Sequence, residues 1–224
     1  MSERNVCNDG ALMSRGVLVI VSSPSGAGKT TLTRRLLEEF KDRVAFSVSY
    51  TTRPMRPGEV DGRDYWFVSP ETFEQMVERR EFAEWEYVHG NRYGTAQAPV
   101  EAVLGDGRDM IFDVDYHGGA ALSARWPDDS LKVFILPPDL KTLEQRLRQR
   151  ATDAPEVIER RLHKAFEELE HYGEYQHLIV NDDLDRAYAV LRALYLARRD
   201  GLPDPRGPDE RAAAEAHARR LVRR

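Results

Sequence analysis

The segment VSSPSGAGKTTL, residues 21–32, constrains the fold of this chain more than any other part of the sequence. It follows VLVIV at 17–21, an unbroken apolar run that is typical of a strand buried on both faces of a parallel sheet. From Lys29 to Phe40, leucine and phenylalanine recur at helical spacing while charged residues take the other face. The sequence therefore predicts a strand, a glycine-containing loop and a helix in direct succession.

A loop of this kind at the start of a helix is suited to hold phosphate. Backbone N–H groups converge on the anion there, and the helix dipole adds positive charge. Lys29 is expected to reach the β- and γ-phosphates of a nucleoside triphosphate, and the Thr30 hydroxyl to ligate a magnesium ion on the same phosphates. The segment departs from the pattern G-x-x-x-x-G-K-[ST] only at Ser23. The residues expected to bind the nucleoside triphosphate are Ser23, Pro24, Ser25, Gly26, Ala27, Gly28, Lys29, Thr30 and Thr31.

Further buried strands are predicted at 109–115, 131–137 and 177–182, each beside a helical pattern. Strands that alternate with helices predict an α/β domain with a mainly parallel sheet. Residues 49–95 break that alternation and are interpreted as an inserted lobe, and the arginine-rich residues 139–158 as a small lid. The core then comprises 15–48, 96–138 and 159–198, between a flexible leader at 1–14 and a C-terminal tail at 199–224.

Composition excludes several classes of protein. With 41% hydrophobic residues in 224, the chain can form one ordinary core. The net charge of -5 argues against nucleic acid or anionic lipid as the main partner. The single cysteine, Cys7, permits no internal disulfide, and the longest apolar run is too short to span a bilayer. We therefore expect a soluble cytoplasmic protein without nucleic-acid or membrane partners; the sequence leaves its oligomeric state open.

A second cluster of anion-binding residues lies in SVSYTTRPMRPGEVDGRDYWF, residues 47–67. Arg53 and Arg56 each precede a proline, which keeps the chain extended or turned, and Tyr65 and Tyr93 add two phenols. Two guanidinium groups and two phenols can clamp a second phosphate, that of the acceptor.

With these motifs the sequence resembles the guanylate kinases, which transfer the γ-phosphoryl group of ATP to GMP and give ADP and GDP. The resemblance covers residues 15–197 through SPSGAGKTT, SVSYTTRPMRPGEVDGRDY, EFAEWEYVHGNRYGT, IFDVD and IVNDD. It implies a P-loop kinase fold with a central parallel sheet flanked by helices, an inserted GMP-binding lobe at 49–95 and a lid. It also implies Mg²⁺ as cofactor, dGMP as a further acceptor, and a role in purine metabolism and GMP recycling.

The resemblance also assigns roles to individual residues. It implies that the GMP phosphate is bound by Arg53, Arg56, Tyr65 and Tyr93. It places around the guanine Ser49, Glu84, Thr95 and Asp115. It implies catalytic roles for Lys29 and for the arginines Arg146, Arg150 and Arg161. Asn181 matches a position near the donor nucleotide, and Asp113 is expected to support the magnesium ion through water.

The chemistry agrees with these roles. Guanine presents N1–H and an exocyclic NH₂ side by side, and the Glu84 carboxylate can accept both protons while Ser49 donates to O6. The acceptor phosphate is already ionised at neutral pH, so no general base is required. Catalysis then consists of positioning and charge neutralisation, with the lobe and lid closing to keep water out.

Other interpretations stay open at this stage. Arg53 and Arg56 can be solvated loop charges, Asp113 can cap a helix, and Arg146 can belong to a surface ion-pair face with Glu144. The whole chain can be a non-catalytic phosphopeptide-binding module of the same family, or a kinase with a different phosphorylated acceptor. His117, where the family more often has glutamine, is expected to pack rather than to act as a base.

Overall fold

The computed structural model describes residues 15–88, 90–149 and 155–223. The strands are β1 (Leu18–Ser22), β2 (Val44–Phe46), β3 (Tyr50–Thr51), β4 (Trp66–Phe67), β5 (Phe82–Val88), β6 (Asn91–Ala96), β7 (Asp109–Asp113), β8 (Ser130–Leu136) and β9 (His177–Val180). The helices are α1 (Lys29–Glu39), α2 (Pro70–Glu78), α3 (Gln97–Gly105), α4 (Tyr116–Arg125), α5 (Leu140–Gln149), α6 (Pro155–Glu170), α7 (Leu184–Arg199) and α8 (Pro208–Val222). The predicted leader, residues 1–14, lies outside the described ranges, as do Arg150 and residues 151–154 of the predicted lid.

The central sheet has five parallel strands in the order β2-β7-β1-β8-β9. Its middle strand β1 is buried along its whole length, because it pairs on both sides and is covered on both faces. The prediction of an α/β fold with a parallel sheet is therefore confirmed, and the four predicted core strands all form.

Helices cover both faces of this sheet. On one face α1 and α7 pack through Leu32, Leu36 and Leu191 against alternate residues of β1 and β8. On the other face α3 and α4 pack through Val100, Leu104 and Leu122. Burial of two faces explains why β1 is apolar without alternation.

A second sheet of four short strands, in the order β4-β3-β6-β5, is formed by residues within 50–96. It packs on α2 through a small core of Phe73, Met76, Phe82 and Ala96. The Ser69 side chain caps α2 by accepting from the Thr72 amide, and Pro70 follows at the first helical position. Of the residues that the sequence analysis assigned to the acceptor, this sheet carries Glu84, Tyr93 and Thr95.

The C-terminal residues fold back onto the edge of the central sheet. In α8, Ala214, Ala218 and Leu221 are buried against the neighbourhood of β9 and α6. Before that helix, Arg206 donates to the carbonyl of Leu178 in β9 at 2.6 Å. An exposed strand edge is prone to pair with other chains, so α8 protects β9. The sequence analysis placed a tail here, because alanines among arginines form a weak apolar pattern. In the described residues no helix combines the length and the apolar character needed to cross a membrane.

One buried carboxylate joins the amino ends of β1 and β7 to the carboxyl end of α7. Asp109, at the start of β7, is 0% exposed. It accepts from the Val17 amide at 2.7 Å, from the Tyr195 hydroxyl at 2.6 Å and from Arg199 at 2.8 Å. β1, β7 and α7 are therefore held together at this end by one charged group with three donors.

We predict that Asp109→Ala lowers the free energy of unfolding by about 3–5 kcal/mol, because it leaves Arg199 and the Val17 amide without their buried acceptor. Urea denaturation followed by circular dichroism measures the change. Asp106→Ala, in the same turn but with a side chain that is 70% exposed, is the control and should stay within about 0.5 kcal/mol of the parent. Equal losses in the two variants would show that the network does not stabilise the fold.

Candidate active site

The phosphate loop connects β1 to α1 at the carboxyl edge of the central sheet. Gly28 has φ of 100°, in the left-handed region that residues with a side chain rarely adopt. A Cβ atom added at Gly28 would lie 2.2 Å from the Asn181 side chain. Both the backbone conformation and the close neighbour therefore require glycine at this position.

Three side chains from elsewhere in the chain form hydrogen bonds with the backbone of this loop. Asn181, which follows β9, donates to the Ala27 carbonyl at 2.7 Å. Arg146, on α5, approaches the Gly26 carbonyl at 3.4 Å. The Glu168 carboxylate, on α6, accepts from the Ser25 amide at 3.0 Å. Sequence analysis singled out Asn181 and Arg146 but missed Glu168, which is one of many acidic residues in a helical pattern.

A cavity of about 350 Å³ lies beside the loop. Its lining includes Gly26, Gly28, Thr31, Arg146, Asn181 and Asp182. The structure thus brings Arg146, which was predicted to be catalytic, and Asn181, which was predicted to lie near the donor nucleotide, to the same cavity as the phosphate loop.

Lys29 and Thr30 meet a carboxylate at the end of β7. The Lys29 ammonium forms an ion pair with Asp113 at 2.7 Å and donates to the Val114 carbonyl at 2.8 Å. The Thr30 hydroxyl donates to the other oxygen of Asp113 at 3.2 Å. Asp113 therefore faces the phosphate loop and does not cap the following helix.

The oxygens of Thr30 and Asp113 suit a small hard cation. Magnesium prefers oxygen ligands and commonly takes one or two from protein and others from phosphates and water. In the described part of the chain no group of three or more His, Cys, Asp or Glu side chains is arranged to hold a metal ion. The donor set therefore fits magnesium that arrives with nucleotide phosphates.

The second anion-binding cluster lies on the small sheet and its loop. The Arg53 side chain is 10% exposed, forms an ion pair with Glu59 at 2.8 Å, and lies 5.4 Å from the centre of the Tyr65 ring. The Tyr65 and Tyr93 rings pack edge to face at 5.9 Å. Burial raises the pKa of the Tyr65 hydroxyl, which stays a hydrogen-bond donor at neutral pH. The Arg53 guanidinium and the side chains of Tyr65 and Tyr93 thus form one cluster.

Arg56 and Glu59 lie beside this cluster of Arg53, Tyr65 and Tyr93. Glu59 accepts from the Arg56 amide at 2.7 Å, and its bonds to Arg53 and to this amide lower the pKa of the carboxyl. The Arg56 side chain is exposed. Sequence analysis did not single out Glu59, which holds the arginine-bearing turn in place.

A wider cavity of about 580 Å³ lies between the small sheet and α4. The lining includes Glu84, Trp85, Glu86, His117, Gly118 and Ala121. Burial raises the pKa of Glu84, and the negative charges of Asp115 and Glu86 add to that effect. Thr95, its buried neighbour across the ladder, acts on the pKa of Glu84 in the opposite direction. The pocket therefore offers the Glu84 carboxylate to a ligand.

Asp115 lies at the start of α4, where its negative charge helps to raise the pKa of Glu84 and Glu86, whereas Ser49 precedes β3 and is not among the residues that line this pocket. One oxygen of Asp115 accepts from the Gly118 amide at 3.0 Å and so caps α4. The helix-capping role that sequence analysis left open for Asp113 thus belongs to Asp115. The Ser49 carbonyl accepts from the Trp66 amide at 2.9 Å, which joins the strand linker to the small sheet. His117 is exposed on the first turn of α4.

The structure describes two of the three arginines that were predicted to be catalytic in the lid and beside it. Arg146 approaches the loop, as described above. Arg161 lies on α6, where it is exposed but is not without an interaction partner. Arg150 lies outside the described residues.

Comparisons with known proteins place these features in context. The family model described as guanylate kinase matches residues 15–197. The chain is 50% identical over 196 residues to a guanylate kinase of Chelativorans sp., covering 85% of this chain and 89% of the relative. It is 52% identical over 185 residues to a guanylate kinase of Maricaulis maris, covering 83% and 84%. The crystal structure of guanylate kinase from Anaplasma phagocytophilum superposes with a TM-score of 0.63 at 33% identity, covering 81% of this chain and 87% of that one.

The burial of Glu84 leads to a prediction about stability. Because the pKa of Glu84 is raised in the folded state, the ionised carboxylate opposes folding above that pKa, and this cost vanishes below about pH 4.5, where the carboxyl is protonated in both states. Glu84→Gln should therefore raise Tm at pH 7.5 and leave it unchanged at pH 4. Differential scanning calorimetry at the two pH values measures this. A lower Tm for the variant at pH 7.5 would mean that the charge stabilises the fold.

Proposed function

The chain belongs to the guanylate kinase family, and from this premise we propose that it transfers the γ-phosphoryl group of ATP to GMP, giving ADP and GDP. The observation that carries the proposal is the presence of two anion-binding clusters in one chain. One is the phosphate loop with Lys29, Thr30 and Asp113, and the other is the Arg53, Tyr65 and Tyr93 cluster. Either cluster alone would be compatible with simple nucleotide binding.

The donor nucleotide is proposed to bind along the phosphate loop. The amides of Gly28 and Lys29 lie at the start of α1, where the helix dipole favours the β-phosphate. The Lys29 ammonium exchanges part of its contact with Asp113 and Val114 for phosphate oxygens. Arg146 and Asn181 line the cavity that continues from the loop, so they are suited to contact the rest of ATP.

The metal site is proposed at Thr30 and Asp113. The Thr30 hydroxyl, which is hydrogen-bonded to Asp113 at 3.2 Å, would be a direct ligand, and the Asp113 carboxylate would act through water. When bound, Mg²⁺ neutralises the charge of the transferring phosphates and fixes their orientation. Asp113 also orients Lys29 through their ion pair. One carboxylate would therefore position both the Lys29 ammonium and the magnesium ion.

The acceptor is proposed to bind in the cavity lined by Glu84, with its phosphate on the Arg53 cluster. Arg53 and Arg56 provide charge and forked donors for the GMP phosphate, while Tyr65 and Tyr93 donate hydroxyls. Glu84 accepts N1–H and N2–H of guanine, and Thr95, Asp115 and Ser49 supply the remaining polar contacts. dGMP lacks only the 2′-hydroxyl and is proposed as an alternative acceptor.

Transfer is proposed to need positioning and charge neutralisation but no base, since the attacking phosphate oxygen is already ionised. Lys29 stabilises the γ-phosphoryl group, and Arg146 and Arg150 in the lid, with Arg161 beside it, add positive charge as the lid closes. Exclusion of water by closure prevents ATP hydrolysis. We also infer a cytosolic location, which fits the single cysteine and the soluble nature of both substrates.

We predict that a coupled assay with ATP and Mg²⁺ shows ADP formation with GMP and, more weakly, with dGMP, but at most 10⁻⁴ of that kcat/KM with AMP, since adenine places a lone pair against Glu84. CMP and UMP complete the acceptor panel. Lys29→Ala should lower kcat by about 10²- to 10⁵-fold. No ADP formation with GMP would contradict the proposed function.

A second prediction concerns the pH dependence of guanine recognition. Because burial raises the pKa of Glu84, its carboxylate should protonate at a higher pH than an ordinary glutamate, and KM for GMP should rise as the pH falls through that value. Glu84→Gln should lower kcat/KM for GMP about 10- to 100-fold and abolish this pH dependence, while KM for ATP stays unchanged.

Glu78→Gln, an exposed position on α2, is the matched control and should behave like the parent. A parallel rise of both KM values in Glu84→Gln would assign Glu84 a structural role instead.

A further inference from the structure

We propose that Glu168 is a positioning residue of the phosphate loop, which it holds by accepting the Ser25 amide and so couples to α6. This inference rests on the proposed function, since it assigns the loop to ATP. Glu168 touches no substrate in this account. It acts through the loop backbone and through the helix on which it lies.

The contact between Glu168 and Ser25 is a hydrogen bond made by a buried carboxylate. Glu168 is 8% exposed, and its carboxylate accepts the Ser25 N–H at 3.0 Å across 143 residues of sequence. Its burial raises the pKa of the carboxyl, while the charges of Lys164 and Lys29 act in the opposite direction. A buried carboxylate costs stability unless it is paired, so a purely structural position would be served better by an apolar residue.

The loop is held at three successive residues by three different elements. α6 holds Ser25 through Glu168, α5 approaches Gly26 through Arg146, and the end of β9 holds Ala27 through Asn181. Of these three side chains only Glu168 is negatively charged. Placed against a phosphate it would repel the substrate, whereas placed against the Ser25 amide it fixes the loop. Its charge therefore favours a positioning role over a direct one.

The same helix carries a proposed catalytic arginine. Arg161 and Glu168 are seven residues apart, which is close to two helical turns, so they share one side of α6 about 10 Å apart along its axis. Glu168 is buried at the loop and Arg161 is exposed. A fixed contact at Glu168 thus anchors α6, and with it Arg161, relative to the phosphates that the loop binds. Loss of the contact should disturb ATP binding and the catalytic rate, but not GMP binding.

The test compares three variants of the full chain. Glu168→Ala removes the acceptor, Glu168→Gln retains an oxygen that can accept the Ser25 amide, and Glu167→Ala removes the neighbouring, 58% exposed carboxylate that pairs with His163. Each is measured for kcat, for KM of ATP and of GMP, for Tm without ligand, and for the rise in Tm that ATP alone produces.

We expect Glu168→Ala to lose about 10- to 100-fold in kcat/KM for ATP and most of the ATP-induced rise in Tm, with KM for GMP unchanged. Glu168→Gln should retain activity within a few-fold, and Glu167→Ala should match the parent. The inference is overturned if Glu168→Ala keeps its ATP response and rate, if both KM values rise together, or if Glu168→Gln is as impaired as Glu168→Ala. The ATP-induced rise in Tm of the parent needs no acceptor, so failure of the proposed GMP kinase activity would be seen separately.

Discussion

The parallel pairing of β1 with β7 is the constraint on which the rest of the structure depends. Its register places Val21 opposite Asp113, so the loop that leaves β1 begins beside the carboxylate that ends β7. Lys29 and Thr30 can reach Asp113 only because of this register. A shift of one residue would turn the Asp113 side chain to the other face of the sheet and separate the three groups. Strand pairing in the core thus sets the geometry of the proposed phosphate and metal site.

Three carboxylates that are buried or partly buried in this molecule differ in their partners. Burial raises the pKa of both Glu84 and Glu168, which means that the fold disfavours their charged forms. Asp109, by contrast, receives three donors and joins the opposite edge of the sheet. The partner of Glu168 is the Ser25 amide, and the partner proposed for Glu84 is guanine. The third is structural.

Much of this could be predicted from local sequence. Apolar runs identified the four principal strands of the central sheet, and the spacing of Leu32 and Leu36 identified α1, because burial on both faces leaves a strong signal. Contacts that join distant parts of the chain could not be predicted in this way. Glu59 and Glu168 look like ordinary surface acids in the sequence, and their partners are fixed only by the tertiary fold. The packing of α8 on β9 was missed for the same reason, since alanine carries little apolar pattern.

The central claim is that one site binds a donor and an acceptor phosphate at the same time. Titration calorimetry with a ligand that joins adenosine to guanosine through a chain of phosphates tests it most directly. If both clusters belong to one site, the joined ligand should bind about 10²- to 10⁴-fold more tightly than ATP or GMP alone. Lys29→Ala and Arg53→Ala should each reduce that advantage. A joined ligand that binds no more tightly than ATP, or one that is insensitive to Arg53→Ala, would contradict the account.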